Sequence, residues 1–130
     1  MRTALVALAL LGALSGCGSP NAGTGTVIGG IEPCSGLLLQ GGPQYAAGTV
    51  TVLQGTVGWQ NVGGSTEDVF PTTVVAQQTV GTNSTYSFSL QPGQYVLQAQ
   101  FSTPSDVVPW AQVTVHVGET VHADITNACK

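Results

Sequence analysis

The chain has 130 residues and a formal net charge of −4 at pH 7, with two basic side chains, Arg2 and Lys130, against six acidic ones. Nucleic-acid binding depends on Lys and Arg neutralising phosphates, so this composition argues against a nucleic-acid partner. It argues equally against electrostatic docking on anionic lipid. The apolar fraction of 42% suits a folded core, and the length suits one domain.

The first predicted element is a secretory signal peptide over residues 1–16. Met1-Arg2-Thr3 is a short basic start, and the run from Ala4 to Leu14 is apolar or small throughout. A membrane-spanning helix needs about 20 apolar residues, and glycines followed by Pro20 interrupt this run well before that length. The pattern therefore favours a cleaved export signal over a transmembrane anchor.

The end of this segment, Leu14-Ser15-Gly16-Cys17, resembles the lipobox of bacterial lipoproteins. In that family the cysteine is diacylated and becomes the first residue of the mature protein. The resemblance implies that Cys17 is lipidated and that acyl chains hold the protein at the bacterial cell membrane or envelope, on its extracytoplasmic side. The alternative is an ordinary cysteine that follows a conventional signal peptide.

After the signal, residues 17–26 are small and polar and predict a flexible tether, and residues 27–130 form the predicted folded domain. Apolar and polar residues then alternate with a period of two, which is typical of half-buried antiparallel strands. Residues 60–72 and 102–109 are expected to be loops. A last hairpin is expected to turn at 118–120 and to place Val117 opposite Val121. The predicted core consists of Val50, Val52, Tyr86, Phe88, Leu90, Tyr95, Leu97, Val113, Val115, Val121 and Ile125.

Short strands joined by Gly and Pro turns predict an all-β fold, an antiparallel β-sandwich of about seven strands. The segment from Tyr86 to Leu97, YSFSLQPGQYVL, resembles the core of transthyretin-like domains, a superfamily that includes carboxypeptidase regulatory-like domains. The resemblance covers about residues 25–126 and implies a Greek-key topology. It says little about function, because these domains serve as stalks, adhesins, binding modules and enzyme appendages.

The three cysteines leave one odd thiol in an exported protein. If Cys17 carries lipid, an oxidising compartment favours a disulfide between Cys34 and Cys129. Closing so long a loop stabilises a fold by about 4–5 kcal/mol in the chain-entropy model. Two free thiols or a metal pair are the alternatives, although no histidine neighbours either cysteine.

No catalytic signature is present, so we expect a protein that is not an enzyme and that has no cofactor. Glu67 and Asp68 form the only close carboxylate pair. Adjacent residues point to opposite faces of a strand, and on a loop such residues are usually solvated, so a cation contact there is the less favoured alternative.

Two further groups of residues are candidates for binding. In the expected last hairpin, His116 lies opposite His122, close enough for the two imidazoles to share Zn²⁺ or Cu²⁺. The favoured interpretation is that both histidines simply lie on a polar face in solvent, and the metal site is the alternative. Trp59, Trp110 and Tyr45 lie outside the clearest strands. A Trp near a strand end more often caps the core, which is the favoured interpretation, and the alternative is that these rings stack on sugars or fill a partner's pocket.

We therefore expect a lipid-anchored envelope protein whose non-catalytic β-sandwich is a binding or structural module. Its expected partners are the membrane, through the acyl chains, and an envelope protein or a glycan. The two alternative functions are a small metal-binding protein that uses the histidine hairpin and a carbohydrate-binding module that uses exposed tryptophans.

Overall fold

The computed structural model describes residues 23–33, 45–102 and 108–126. These residues form strands, turns and irregular segments without a helix, so the all-β prediction is confirmed, and the described part contains no helix able to span a membrane. The strands are β1 (Gly25–Gly29), β2 (Gly48–Gln54), β3 (Gly58–Val62), β4 (Ser65–Val69), β5 (Val74–Val80), β6 (Tyr86–Leu90), β7 (Gly93–Phe101), β8 (Trp110–Val115) and β9 (Thr120–His122).

Seven of these strands form a sandwich of two sheets. The three-stranded sheet has the order β6-β1-β9 and the four-stranded sheet has the order β5-β2-β7-β8. Side chains from both sheets join one buried apolar cluster, because the inward positions of every strand alternate with outward ones. The remaining strands, β3 and β4, pair only with each other and form a hairpin inserted between β2 and β5.

The first and last strands of the sandwich run parallel, which differs from the expected antiparallel arrangement. β1 pairs with β9 in the register Val27 opposite Val121, and an isolated parallel bridge joins Ile31 to Ile125 beyond the strands. β9 reaches this position because the chain changes sheets after β8. The three-stranded sheet then offers β9 the free edge of β1, since β6 holds the other edge.

The predicted last hairpin is therefore wrong. β8 and β9 belong to different sheets, and Val117 is 60% exposed instead of lying on the apolar face. The chain turns at Gly118, whose φ of +73° favours glycine, and the Gly118 amide donates to the Thr24 carbonyl at 3.0 Å. Val115 and Ile125 are both buried, but they reach the core from opposite sheets.

The predicted core is confirmed in all but one position, since Val121 is only partly buried. Leu53 and Val96 are additional buried residues on the outer face of the four-stranded sheet, where they lie opposite each other in register. The alternation had assigned Val96 to a polar face. The segment inserted between β2 and β5 lies beside it, since the Val57 amide donates to the side chain of Gln112, the residue opposite Val96 on β8.

The segment expected to be a loop at 60–72 contains most of the β3–β4 hairpin. Its turn is Gly63-Gly64, with φ values of +58° and +87°, as a two-residue turn of type I′ requires. All residues of the hairpin from 59 to 69 are exposed. The hairpin lacks an apolar face because it does not pack into the core, so periodicity could not reveal it.

β1 begins at Gly25, so the last two residues of the predicted tether belong to the sandwich. Gly25 lies against the backbone carbonyl of His116, where a β-carbon would clash. This contact places the start of β1 next to the end of β8.

Candidate binding face

The outer face of the four-stranded sheet carries two rows of uncharged polar side chains. In one row Thr49 lies between Thr79 and Gln100, and in the next row Thr51 lies between Gln77 and Gln98. Trp110 extends the second row on β8, opposite Gln98. We call these residues the polar face: Thr49, Thr51, Gln77, Thr79, Gln98, Gln100 and Trp110.

These side chains point outward because they alternate with buried residues on the same strands. Val50 and Val52 flank Thr51 on β2, and Leu97 and Ala99 flank Gln98 on β7, and all four are fully buried. A strand projects successive side chains to opposite faces of the sheet. The packing of the core therefore determines that the Thr and Gln side chains lie on the solvent side.

Hydrogen bonds between strands order part of this face. The hydroxyls of Thr49 and Thr79 are 3.1 Å apart, and the Gln77 amide donates to the Thr51 hydroxyl at 2.9 Å. Cross-strand Thr and Gln pairs of this kind hold side chains in one arrangement. No charged residue among those described belongs to the polar face.

An aromatic pair stands at one edge of the polar face. The ring of Phe70 packs edge-to-face on Trp110, with centroids 5.7 Å apart and an interplanar angle of 77°. Beside it, the Val57 amide donates to the side-chain carbonyl of Gln112 at 3.2 Å. The residues that flank the hairpin, Val57 and Phe70, thus contact β8 at the edge of the polar face. Trp110 remains 37% exposed there.

Trp59 occupies a different position from Trp110. It lies on the hairpin strand β3, opposite Asp68, and is 76% exposed. It does not cap the core, so the favoured interpretation of its place in the sequence is wrong for Trp59. Within the described part of the chain, the ring that packs on Trp110 is that of Phe70.

Tyr45 lies at the three-stranded sheet, away from the polar face. Its ring packs against Gly30, whose amide donates to the Asp124 carboxylate at 2.9 Å. Its backbone is paired with Asn83 through two hydrogen bonds. Burial is the main cause that raises the pKa of Tyr45, followed by Asp124 and then Glu32.

Tyr86 is a second tyrosine at this end of the sandwich. It is fully buried on β6, and its hydroxyl donates to the carbonyl of Ala123. Burial is the main cause that raises the pKa of Tyr86, followed by the charge of Asp124 and by Tyr45. The hydrogen bond satisfies a buried polar group, so its role is structural.

The two candidate metal ligands are not paired as the sequence suggested. His116 is exposed just after β8, and His122 is exposed at the end of β9 in the other sheet. Over residues 23–33, 45–102 and 108–126 no group of three His, Cys, Asp or Glu side chains is placed to hold a metal ion. The cross-strand geometry from which the metal site was inferred is absent.

Cys17, Cys34 and Cys129 lie outside the described residues, so lipidation and the disulfide stay predictions. Described residues close in sequence to Cys34 and Cys129 are, however, paired with each other. The bridge between Ile31 and Ile125 lies three residues before Cys34 and four before Cys129, and the Glu32 amide donates to the Ile125 carbonyl at 2.9 Å. The chain thus runs in the same direction on both strands toward the two cysteines.

A cleft of about 410 Å³ opens where the end of β2 meets the β6–β7 turn, and it contains no catalytic pair. Its lining includes Ser89 and Tyr95, whose hydroxyls are engaged with Thr24 at 2.9 Å and with the Gln91 carbonyl at 2.7 Å. Among the described lining residues, neither hydroxyl has an acid or base beside it.

The alternation along the chain predicted strands here but did not locate this face. A signal was present in the segments Thr49-Val-Thr51, Gln77-Gln-Thr79 and Gln98-Ala-Gln100, in each of which both outward residues are Thr or Gln. Phe70 carried no such signal, because its contact with Trp110 depends on the fold of the inserted segment.

Comparisons of this chain with protein-family models, with curated proteins and with solved structures found no match. The polar face is therefore interpreted from its own chemistry and from its position in the sandwich.

Proposed function

We propose that the protein is a lipid-anchored, non-catalytic β-sandwich that presents the polar face at the cell envelope as a binding module. The observation that carries this proposal is the polar face itself. It combines two ordered rows of hydroxyl and amide groups with a partly exposed indole. Such groups donate and accept hydrogen bonds but do not act as acids or bases near neutral pH, which is the chemistry of recognition.

The position of the polar face relative to the proposed anchor supports this function. Gly25, at the start of β1, contacts the His116 carbonyl near the end of β8. β1 then runs to Ile31, whose carbonyl accepts the Ala46 amide at 2.8 Å just before β2. The rows begin at Thr49, one residue into β2, and so lie in the half of the sheet that is remote from Gly25.

The proposed tether is short, which supports an orientation in which the half of the four-stranded sheet remote from Gly25 points away from the membrane. Seven residues separate a lipidated Cys17 from Gly25, and eight virtual bonds of about 3.4 Å reach at most about 27 Å from the acyl chains. The end of the sandwich near Gly25 then faces the membrane, and the polar face is directed toward the envelope and its partners.

The fold is compatible with the transthyretin-like resemblance, which we retain as a proposal. The matching segment folds as β6 and β7 with a turn at Pro92, and its alternating Tyr86, Phe88 and Leu90 are buried. Because domains of this kind are used for many purposes, the resemblance supports a module and leaves the ligand to the chemistry of the polar face.

The anchoring part of the proposal is tested in intact cells. We expect intact-mass analysis of the membrane-extracted protein to show loss of residues 1–16 and added acyl mass, and a Cys17→Ala variant to leave the membrane fraction. A variant with Cys34→Ala and Cys129→Ala is the matched control and should remain in that fraction. A Cys17→Ala protein that stayed equally membrane-bound would disprove lipid anchoring.

A further inference from the structure

We infer that the polar face binds a neutral polysaccharide chain, with a sugar ring stacked on Trp110 and hydroxyls hydrogen-bonded along the Thr and Gln rows. This inference rests on the proposed function as a binding module and names its ligand class. Four observations support it: the polar face is uncharged, its rows are long enough for a chain, hydrogen bonds already fix several of its side chains, and the Trp110 indole is partly exposed and packed against Phe70.

The absence of charge selects a neutral ligand. None of the described residues is Lys or Arg, and none of the described acidic residues, among them Glu67 and Asp68 on the hairpin, belongs to the polar face; Asp106 lies outside the described residues. An anionic polymer would find no cation on the face, and a cationic partner would find no carboxylate there. A neutral polyol loses little by leaving water when hydroxyl and amide groups replace its hydrogen bonds.

The dimensions fit a chain rather than a single small molecule. The row from Gln77 through Thr51 and Gln98 to Trp110 crosses four adjacent strands. Three inter-strand spacings of about 4.8 Å give the row a length of about 14 Å. The row formed by Thr79, Thr49 and Gln100 runs beside it, so hydrogen-bonding groups line two sides of a linear ligand.

The face is ordered before any ligand arrives. Thr51 already accepts a hydrogen bond from Gln77, and the hydroxyls of Thr49 and Thr79 are within hydrogen-bonding distance. Side chains that are held in place lose less conformational entropy on binding. The hydroxyls keep further donor and acceptor capacity, which a polyhydroxylated ligand can use.

The Trp110 indole is held in a position where a ligand ring can stack on it. Phe70 contacts Trp110 edge-to-face and so restrains the indole, which remains 37% exposed beside Gln98. An aromatic ring offers an apolar surface to the C–H face of a sugar while neighbouring polar groups bind its hydroxyls. The buried centre of a protein–protein interface is more apolar than the rest of the surface, whereas here the apolar pair Leu53 and Val96 on this side of the sheet is itself buried and not offered to a partner.

The test uses full-length protein purified in detergent and titrated calorimetrically with neutral hexasaccharides: β-1,4-glucose, β-1,4-mannose, α-1,4-glucose and β-1,4-N-acetylglucosamine. Polygalacturonate is the charged comparison. We expect at least one neutral hexasaccharide to bind. Trp110→Ala should weaken that binding by about tenfold or more, and Thr51→Val by about threefold or more.

Two matched controls make the same changes elsewhere. Trp59→Ala removes the more exposed tryptophan on the hairpin, and Thr120→Val changes an exposed threonine on the other sheet. Both should bind the hexasaccharide within about twofold of the unmodified protein. Thermal unfolding of each variant identifies any that has lost its fold, and Thr51→Val, which conserves volume, decides the matter if Trp110→Ala does not fold.

The inference is overturned if no neutral hexasaccharide binds at millimolar concentration, or if polygalacturonate binds more tightly than all of them. It is also overturned if Thr51→Val binds as well as Thr120→Val. These results are independent of the membrane fractionation of Cys17→Ala. A protein that is anchored but binds no glycan refutes the ligand class alone, and one that binds glycan without lipid refutes the anchor alone.

Discussion

Leu97→Ala tests the register of the sandwich at its centre. Leu97 is fully buried on β7, and its neighbours in register are Val52 on β2 and Ala111 on β8. The substitution removes apolar groups from a position held between two strands by backbone hydrogen bonds. The surrounding backbone cannot collapse easily into the space, so a cavity remains and adds to the lost transfer free energy.

The expected cost is about 3–4 kcal/mol of unfolding free energy, within the range of about 2–5 kcal/mol for buried Leu→Ala changes. For a domain of 60–100 residues, 1 kcal/mol corresponds to about 4–8 °C in melting temperature, so a loss of 3 kcal/mol lowers it by about 12–24 °C. Urea unfolding followed by tryptophan fluorescence measures the free energy, and an unchanged m value shows that only stability has changed.

Gln98→Ala is the matched control because it is the next residue on the same strand and belongs to the polar face. Its effect on unfolding should stay within about 0.5 kcal/mol. Equal losses for Leu97→Ala and Gln98→Ala would refute the assignment of faces, since a slip of one residue exchanges the two sides of a strand. The polar face would then no longer exist as described.

Three further predictions concern the ends of the sandwich. Tyr86→Phe should lower the unfolding free energy by about 1–3 kcal/mol in chemical denaturation, because the buried carbonyl of Ala123 loses its donor. Burial in the folded state raises the pKa of Tyr86 above its ordinary value of about 10, so the stability that the phenol contributes is complete below about pH 10 and decreases as the pH rises from there toward the folded-state pKa. Above about pH 10, the melting temperature should therefore decrease more steeply with rising pH for the unmodified protein than for Tyr86→Phe. Replacing Cys34 and Cys129 together by Ala should lower the unfolding free energy by up to about 4–5 kcal/mol, whereas Cys17→Ala should leave it unchanged.

Alternation along the sequence was enough to predict the main strands of the four-stranded sheet, strand β6 and most of the core. Period-two alternation identified the inward residues of β2, β6, β7 and β8, because the alternation of side chains along a strand is a local property of the backbone. The same alternation placed Thr and Gln on the outward positions. The composition of the polar face was thus readable from the sequence, although its extent across four strands was not.

Which strands are neighbours could not be predicted from alternation and is known from the three-dimensional arrangement of the sheets. Alternation shows that Val115 and Ile125 face a core, but it is equally consistent with one hairpin or with two facing sheets, and the structure selects the second. The burial of Val96 and the contact of Phe70 with Trp110 were likewise not predicted, and the second depends on an inserted segment that returns to β8. These contacts join residues far apart in sequence, and their free energy comes from the surfaces that meet, which no local pattern encodes.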